Sequence, residues 1–149
     1  MTEYAIVTAP AAVVRTEPEP SAEQADELLH GFVCRVLARD GGWARVRSHY
    51  GYEGYASCAA LRFVSEKGAN AWRGAGLCVV DAAFLDVLSR PGIRSARLTC
   101  LPRGALVSVK PEPTEEGWRR VRLADGREGA AAAKHLTEKR FADDYRDFS

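Results

Sequence analysis

The sequence predicts an all-β protein made of two small β-barrels in tandem. Three observations carry that prediction. First, Gly42-Trp43-Ala44-Arg45-Val46-Arg47 returns almost unchanged as Gly117-Trp118-Arg119-Arg120-Val121-Arg122. Second, the likeness extends both ways from these segments. Forward, Gly51, Glu53, Gly54, Ala56 and Leu61 meet Gly126, Glu128, Gly129, Ala131 and Leu136. Backward, Val14, Pro18, Leu28 and Gly31 meet Val87, Pro91, Leu101 and Gly104, with one length difference in the turn before each Trp. Third, apolar residues alternate in short runs closed by Gly, Pro and Asp. This is the pattern of half-buried strands in a small barrel or sandwich. Self-similarity on the scale of about sixty residues makes one module the unit to interpret.

A chain of 149 residues holds one domain or two small ones, and the repeat decides for two. The expected boundaries are residues 1–64 for the first module, 65–76 for a linker, 77–136 for the second module and 137–149 for a tail. A module of about 60 residues buries little surface by itself, so docking between the modules is expected. The formal charge of +1 supplies no field that would recruit nucleic acid or an anionic membrane. No apolar run approaches the roughly 18 residues a membrane span needs. Met1-Thr2-Glu3-Tyr4-Ala5-Ile6-Val7 lacks a basic segment followed by an apolar core, so no secretory signal is read here. The expected location is cytoplasmic as written, or the cell envelope if the N-terminus has been trimmed.

In the first module, Tyr4–Val7 reads as an opening strand and Ala12–Arg15 as a second. Thr16-Glu17-Pro18-Glu19-Pro20-Ser21 follows, and its prolines forbid a central strand. This loop is expected to run to about Leu28, with room for a turn of helix over Ala22–Leu29. Loops this long in a small module are usually functional. Phe32–Arg39 alternates as a half-buried strand. Asp40-Gly41-Gly42 is a hairpin turn, and Trp43–Ser48 returns with Ala44 and Val46 inward. Gly51-Tyr52-Glu53-Gly54 turns again into Tyr55-Ala56-Ser57, and Ala59-Ala60-Leu61 closes the module.

Residues 65–76 lack alternation and carry three glycines, the mark of a connector. Trp72 is the exception and is expected to pack between the modules. Leu77–Val80 reopens the pattern. Ala105–Lys110 follows with Val107 and Val109 inward, then the longer turn Pro111–Gly117, Trp118–Leu123, and Ala130–Ala132. Phe141, Tyr145 and Phe148 have helical spacing and suggest a short tail helix capped by Thr137.

Cys34, Cys58, Cys78 and Cys100 match no zinc spacing. Cys34 aligns with Val107 and Cys58 with Ala133, so they read as small core residues, with two disulfides as the alternative. No metal or cofactor is expected. His30, His49 and His135 lie in unmatched contexts with no nucleophile placed beside them, so this chain is not expected to be an enzyme.

Taken in order, the motifs are Val-x-Arg/Leu-x-x-Pro, Leu-x-x-Gly, Gly-Trp-x-x-Val, Gly-x-x-Gly-Tyr/Ala and a closing Leu. Carried twice, they resemble the bacterial SH3-like domain. That resemblance implies a barrel of five or so strands with a long loop after the first. The tandem pair, with Arg-x-Glu-Pro in the first long loop and Gly-Tyr-x-Gly-Tyr later, also resembles the N-terminal half of NlpC/P60-type cysteine peptidases. The nearest in look are the γ-D-glutamyl-L-diamino acid peptidases of the dipeptidyl-peptidase VI type, which trim murein peptides with a free N-terminal L-Ala. In that family a catalytic domain with an Asp-Cys-Ser-Gly nucleophile follows the second SH3-like domain. Here the cysteines sit in Val-Cys-Arg, Ser-Cys-Ala, Leu-Cys-Val and Thr-Cys-Leu. The implied chain is therefore the non-catalytic part of such a hydrolase, its partners an absent catalytic domain and murein peptide.

The resemblance further implies that Glu17 and Tyr52 help receive the substrate's N-terminal amine. A carboxylate and a phenol oxygen both accept from an ammonium. The plainer readings are an exposed loop acid for Glu17 and a half-buried turn aromatic for Tyr52. The second module has Arg90 and Arg127 in their places and cannot use this device. An alternative function is an autonomous binding module in which Tyr50, Tyr52, Tyr55 and Trp43 line an aromatic groove for cell-wall peptide or a protein partner. Against this, Trp43 and Trp118 recur in both copies, as shared packing residues would.

Overall fold

The computed structural model describes residues 3–112 and 115–139. It divides into two compact units, Met1–Ala71 and Trp72–Ser149. Each is a single antiparallel sheet of seven strands, curled into an SH3-like barrel.

In the first unit the strands are β1 (Glu3–Val7), β2 (Ala11–Arg15), β3 (Gln24–Leu29), β4 (Val33–Asp40), β5 (Trp43–Arg47), β6 (Glu53–Ser57) and β7 (Leu61–Ser65). Their order across the sheet is β3-β2-β6-β5-β4-β1-β7. The inward positions follow the period of two: Ala12 and Val14 on β2, Ala44 and Val46 on β5, Ala56 on β6. Ile6, Leu28 and Phe32 supply the largest buried side chains. Outward charges clamp neighbouring strands. Arg39 donates to both oxygens of Glu3 at 3.1 and 2.6 Å, and its guanidinium lies 3.5 Å over the Phe63 ring.

The second unit holds β8 (Leu77–Val80), β9 (Phe84–Leu88), β10 (Arg97–Pro102), β11 (Leu106–Val109), β12 (Trp118–Arg122), β13 (Glu128–Ala132) and β14 (Leu136–Glu138). Its order, β10-β9-β13-β12-β11-β8-β14, is that of the first unit strand for strand. Trp43 and Trp118 each open the corresponding strand, and Gly54 and Gly129 each stand second in theirs. The glycines have a packing cause. A Cβ at Gly54 would lie 2.5 Å from Val14 Cγ1 and 2.9 Å from the Arg15 carbonyl oxygen. At Gly129 it would collide with Val87 and with the Leu88 carbonyl, the equivalent groups.

Four expectations need correction. The loop after β2 ends at Glu23, because Gln24–Leu29 is strand rather than loop or helix. Its acid-rich sequence is a poor strand former, and the strand exists by pairing with β2 (Ala11 opposite Leu29, Val13 opposite Glu27). The first module does not close at Leu61, where β7 begins. That strand pairs with β1 from Val7–Leu61 to Glu3–Ser65. The connector is α1, Glu66–Arg73. Ser65 Oγ caps it by accepting from the Gly68 N–H at 3.1 Å, while Ala69 and Trp72 bury one face. Gly68 is tolerated there because a Cβ would sit 3.0 Å from Val64 Cβ. Thr137 lies in β14 and caps no helix. The tail helix expected over Phe141–Phe148 falls outside the described residues.

All four cysteines are free, which removes the disulfide alternative. Cys34 is buried and donates to the Ala5 carbonyl at 3.7 Å. The other three are half-buried. Among the described residues no helix is long and apolar enough to cross a membrane.

Candidate functional site

Two segments of the first barrel carry the residues singled out by the sequence. One is the β2–β3 loop. It is pinned at its base by the Thr16 N–H on the Glu23 carbonyl at 3.0 Å, and by Arg15 Nη1 on the Ala22 carbonyl at 2.8 Å. Glu17 lies exposed just beyond that base, its carbonyl accepting from the Glu19 N–H at 2.9 Å. Prolines 18 and 20 limit the loop's freedom further.

The other segment is the turn between β5 and β6. Buried Ser48 organises it: its N–H donates to the Tyr52 carbonyl at 2.8 Å, and its Oγ accepts from the Tyr52 N–H at 3.0 Å. Gly51, with φ of +92°, supplies the left-handed residue the turn requires. Tyr52 is thus held at both backbone groups while the residue stays 38% exposed. Its ring is directed to the inner rim, where Cε1 lies 3.7 Å from the position a Cβ on Gly54 would take, beside Val14.

The remaining aromatic candidates have other neighbours. Tyr50 is also exposed, and its ring meets the edge of His49 at 4.8 Å. His49 in turn packs on Phe32 at 5.2 Å. Tyr55 is half-buried on β6, opposite Arg15 on one side and Arg45 on the other. Trp43 pairs with Ser57, whereas Arg47 pairs with Glu53. Trp43 therefore stands at the far end of β5, about 13 Å along the strand from the Tyr52 turn.

Two features escaped the sequence reading. Glu53, next to Tyr52, accepts from Arg47 at 2.9 and 3.2 Å and from Arg45 at 3.1 Å. The Arg47 hydrogen bonds hold its carboxyl below the usual glutamate range, with the charges of both arginines adding. The second is Asp26 on β3, half-buried opposite Val14. The signal for it was Leu28, two residues on: the inner-face period extends back to Asp26 once β3 is recognised as a strand.

In the second barrel the equivalent rim is built differently. Arg127 stands at the Tyr52 position and donates from Nε to Asp125 at 2.7 Å and from Nη1 to the Leu98 carbonyl at 3.3 Å. A cleft of about 710 Å³ in that unit lies elsewhere. Cys78, Val109, Arg119, Leu136 and Glu138 are among the residues lining it. Its size alone does not make it a site, since among the described residues no three His, Cys, Asp or Glu side chains gather there.

None of the shifted thiols is poised for nucleophilic attack. Burial pushes Cys34 up to about 12. Cys78 is raised by burial, and Cys100 by burial and by Asp86. The thiolate is the reactive form, and these surroundings oppose it. His30 is buried with Nδ1 3.0 Å from the Thr8 carbonyl, where it ties the turn after β3 to the segment that follows β1.

Comparison with known proteins bears on these residues. Residues 14–61 match the family described as the bacterial dipeptidyl-peptidase Sh3 domain, a span that includes Glu17, Asp26 and Tyr52. The chain is 32% identical over 138 residues to Dipeptidyl-peptidase 6 of Lysinibacillus sphaericus. That alignment covers 91% of this chain and 51% of the relative, so the chain spans about half its length. Among solved structures, an NlpC/P60 family protein from Bacillus cereus ATCC 10987 superposes with a TM-score of 0.66 at 19% identity, over 92% of this chain and 56% of that one. An NlpC/P60 endopeptidase from Photobacterium damselae subsp. piscicida gives 0.56 at 16% identity, over 97% and 35%. These two support the fold and nothing finer. Residues 14–61 therefore resemble an SH3 domain of the bacterial dipeptidyl-peptidase type, and the chain is similar to about half of Dipeptidyl-peptidase 6.

Proposed function

We propose that this chain is the non-catalytic tandem SH3-like region of a murein peptide hydrolase of the NlpC/P60 type. Its first barrel helps to shape the pocket for a substrate with a free N-terminal L-Ala. The reading rests chiefly on the Tyr52 turn. A phenol is fixed at both backbone groups, left partly exposed at the inner rim, and present in only one of two barrels that otherwise share their design. Glu17, exposed at the base of the long loop, is the second acceptor in this reading. The catalytic part would be a separate domain that closes the other side of the pocket, so the isolated chain hydrolyses nothing and binds such peptides weakly.

The test uses the full-length enzyme this reading requires, with L-Ala-γ-D-Glu-diamino acid peptide and its N-acetylated form as substrates. Glu17→Gln and Tyr52→Phe should each lower the preference for the free amine by about tenfold or more, the scale of a charge-assisted hydrogen bond. Arg90→Gln and Arg127→Gln should leave the preference unchanged. Equal loss on both substrates would mean that the two residues support the fold and not amine recognition. Cleavage of the peptide by the isolated chain would overturn the non-catalytic assignment.

The exposure of Tyr50 and Tyr52 favours a second reading, an autonomous binding module for cell-wall peptide or a protein partner. The two separate on the gene: the first requires an open reading frame that continues into an Asp-Cys-Ser-Gly segment.

A further inference from the structure

Asp26 is a carboxylate on the inner face of a barrel. Its Cα pairs with that of Val14, which is buried, and Leu28, two residues along β3, is buried as well. Cross-strand partners share a face and residues two apart on a strand share a face, so all three point the same way. Asp26 Oδ2 is buried and has no hydrogen-bond partner among the described residues. Buried polar oxygens are nearly always satisfied, so this one calls for a donor.

The second barrel shows that the fold itself does not ask for a charge there. Thr99 pairs with Val87 in the same register, beside the same irregularity in the strand pair. In the first barrel Val14 Cγ1 and Tyr52 Cε1 both approach the Cβ position of Gly54, at 2.5 and 3.7 Å. Val14 is thus the cross-strand partner of an inward acceptor oxygen and shares the Gly54 position with a partly exposed phenol, in one barrel only.

We infer that Asp26 is a binding residue: Oδ2 accepts an N–H from a primary ammonium group that enters past Tyr52. This rests on the reading of the rim as amine-receiving and adds to it a buried acceptor. An ammonium fits the arrangement better than a guanidinium does. Its three donors diverge from one atom, and the acceptors this reading proposes come from separate elements: β3, the turn before β6 and the loop after β2. A guanidinium fork is matched by two oxygens of one carboxylate side by side.

The experiment titrates the isotope-labelled chain with L-alaninamide up to high millimolar concentration, as weak binding by the isolated chain requires, and follows by NMR the Asp26 side-chain carboxyl carbon and, for comparison with the variants, the backbone amides of Leu28 and Tyr52. N-acetyl-L-alaninamide and guanidinium, at equal ionic strength, are the controls. A saturable shift at Asp26 with L-alaninamide alone is expected. Asp26→Thr, the residue the second barrel carries, should weaken binding by about tenfold or more, and Asp26→Asn should do likewise. No saturable shift in the wild type overturns the inference without recourse to any variant, and so does equal affinity in both Asp26 variants. Loss with Asp26→Thr but not with Glu17→Gln or Tyr52→Phe keeps Asp26 and removes the roles proposed for the other two. Loss with Glu17→Gln but not with Asp26→Thr does the reverse.

Discussion

Tyr52 in the first barrel and Leu98 in the second fill equivalent space. Tyr52 Cε1 stands 3.7 Å from the Cβ position of Gly54, and Leu98 Cδ1 stands 2.9 Å from that of Gly129. The other neighbours of the two glycines are equivalent pairs, Val14 with Val87 and the carbonyls of Arg15 and Leu88. The two side chains arrive from different elements, Tyr52 from the turn before β6 and Leu98 from the irregular step of β10. One barrel thus closes its rim with an aliphatic group. The other closes it with a ring that also presents a hydroxyl.

The close approach at the glycines makes them sensitive. Gly54→Ala would press a methyl against Val14 and the Arg15 carbonyl, and backbone cannot yield as a side-chain end can. Overpacking of this kind costs about 1–3 kcal/mol. Urea unfolding should show that loss for Gly54→Ala and at least as much for Gly129→Ala. An unchanged midpoint in either variant would contradict the packing described.

Cys34 is predicted to be inert and replaceable. With its thiol pushed up to about 12 by burial, it should resist iodoacetamide at neutral pH in the folded protein and react only on unfolding. Val107 occupies the equivalent place, fully buried. Cys34→Val should therefore change stability by less than about 1.5 kcal/mol, as near-isosteric core swaps do. Rapid native alkylation at Cys34, read by peptide mass, would count against this.

Glu53 is predicted to give a pH-dependent contribution. Its carboxyl is held below the ordinary 4.5, first by the Arg47 hydrogen bonds. A depressed acid stabilises the fold above its unfolded value and loses that contribution as pH falls through the folded value. The Tm of the wild type should exceed that of Glu53→Gln near neutral pH, and the gap should close in acid below the ordinary glutamate range. Its size will be small because the group is exposed, and salt should shrink it. A gap that widens in acid would reverse the sign argued here.

The repeat made the barrels legible, since Gly-Trp-x-x-Val, the turn glycines and the alternating valines each answer to a local rule. What stayed hidden depended on partners distant in sequence. Gln24–Leu29 has no strand propensity of its own and is held by β2. Leu61–Ser65 is recruited by β1, whose identity as its neighbour no local pattern announces. Asp26 was hidden for the same reason, because its inward direction follows from a strand that propensity does not reveal. Glu17 and Tyr52 were found through a family likeness, and the contacts that fix Tyr52 were not visible until Ser48 was seen to hold both its backbone groups.

The pairing of β1 with β7 has a consequence for how the chain is made. The first strand finds its outer neighbour only in the last, Glu3 against Ser65. A growing chain must therefore release nearly the whole module from the ribosome before that seam can form, and contacts so far apart in sequence close slowly. Until then β1 has β4 on one side and open hydrogen-bonding groups on the other, an edge able to pair with another chain. The second barrel repeats the arrangement with β8 and β14, so each synthesis passes through two such exposed intervals, one per module.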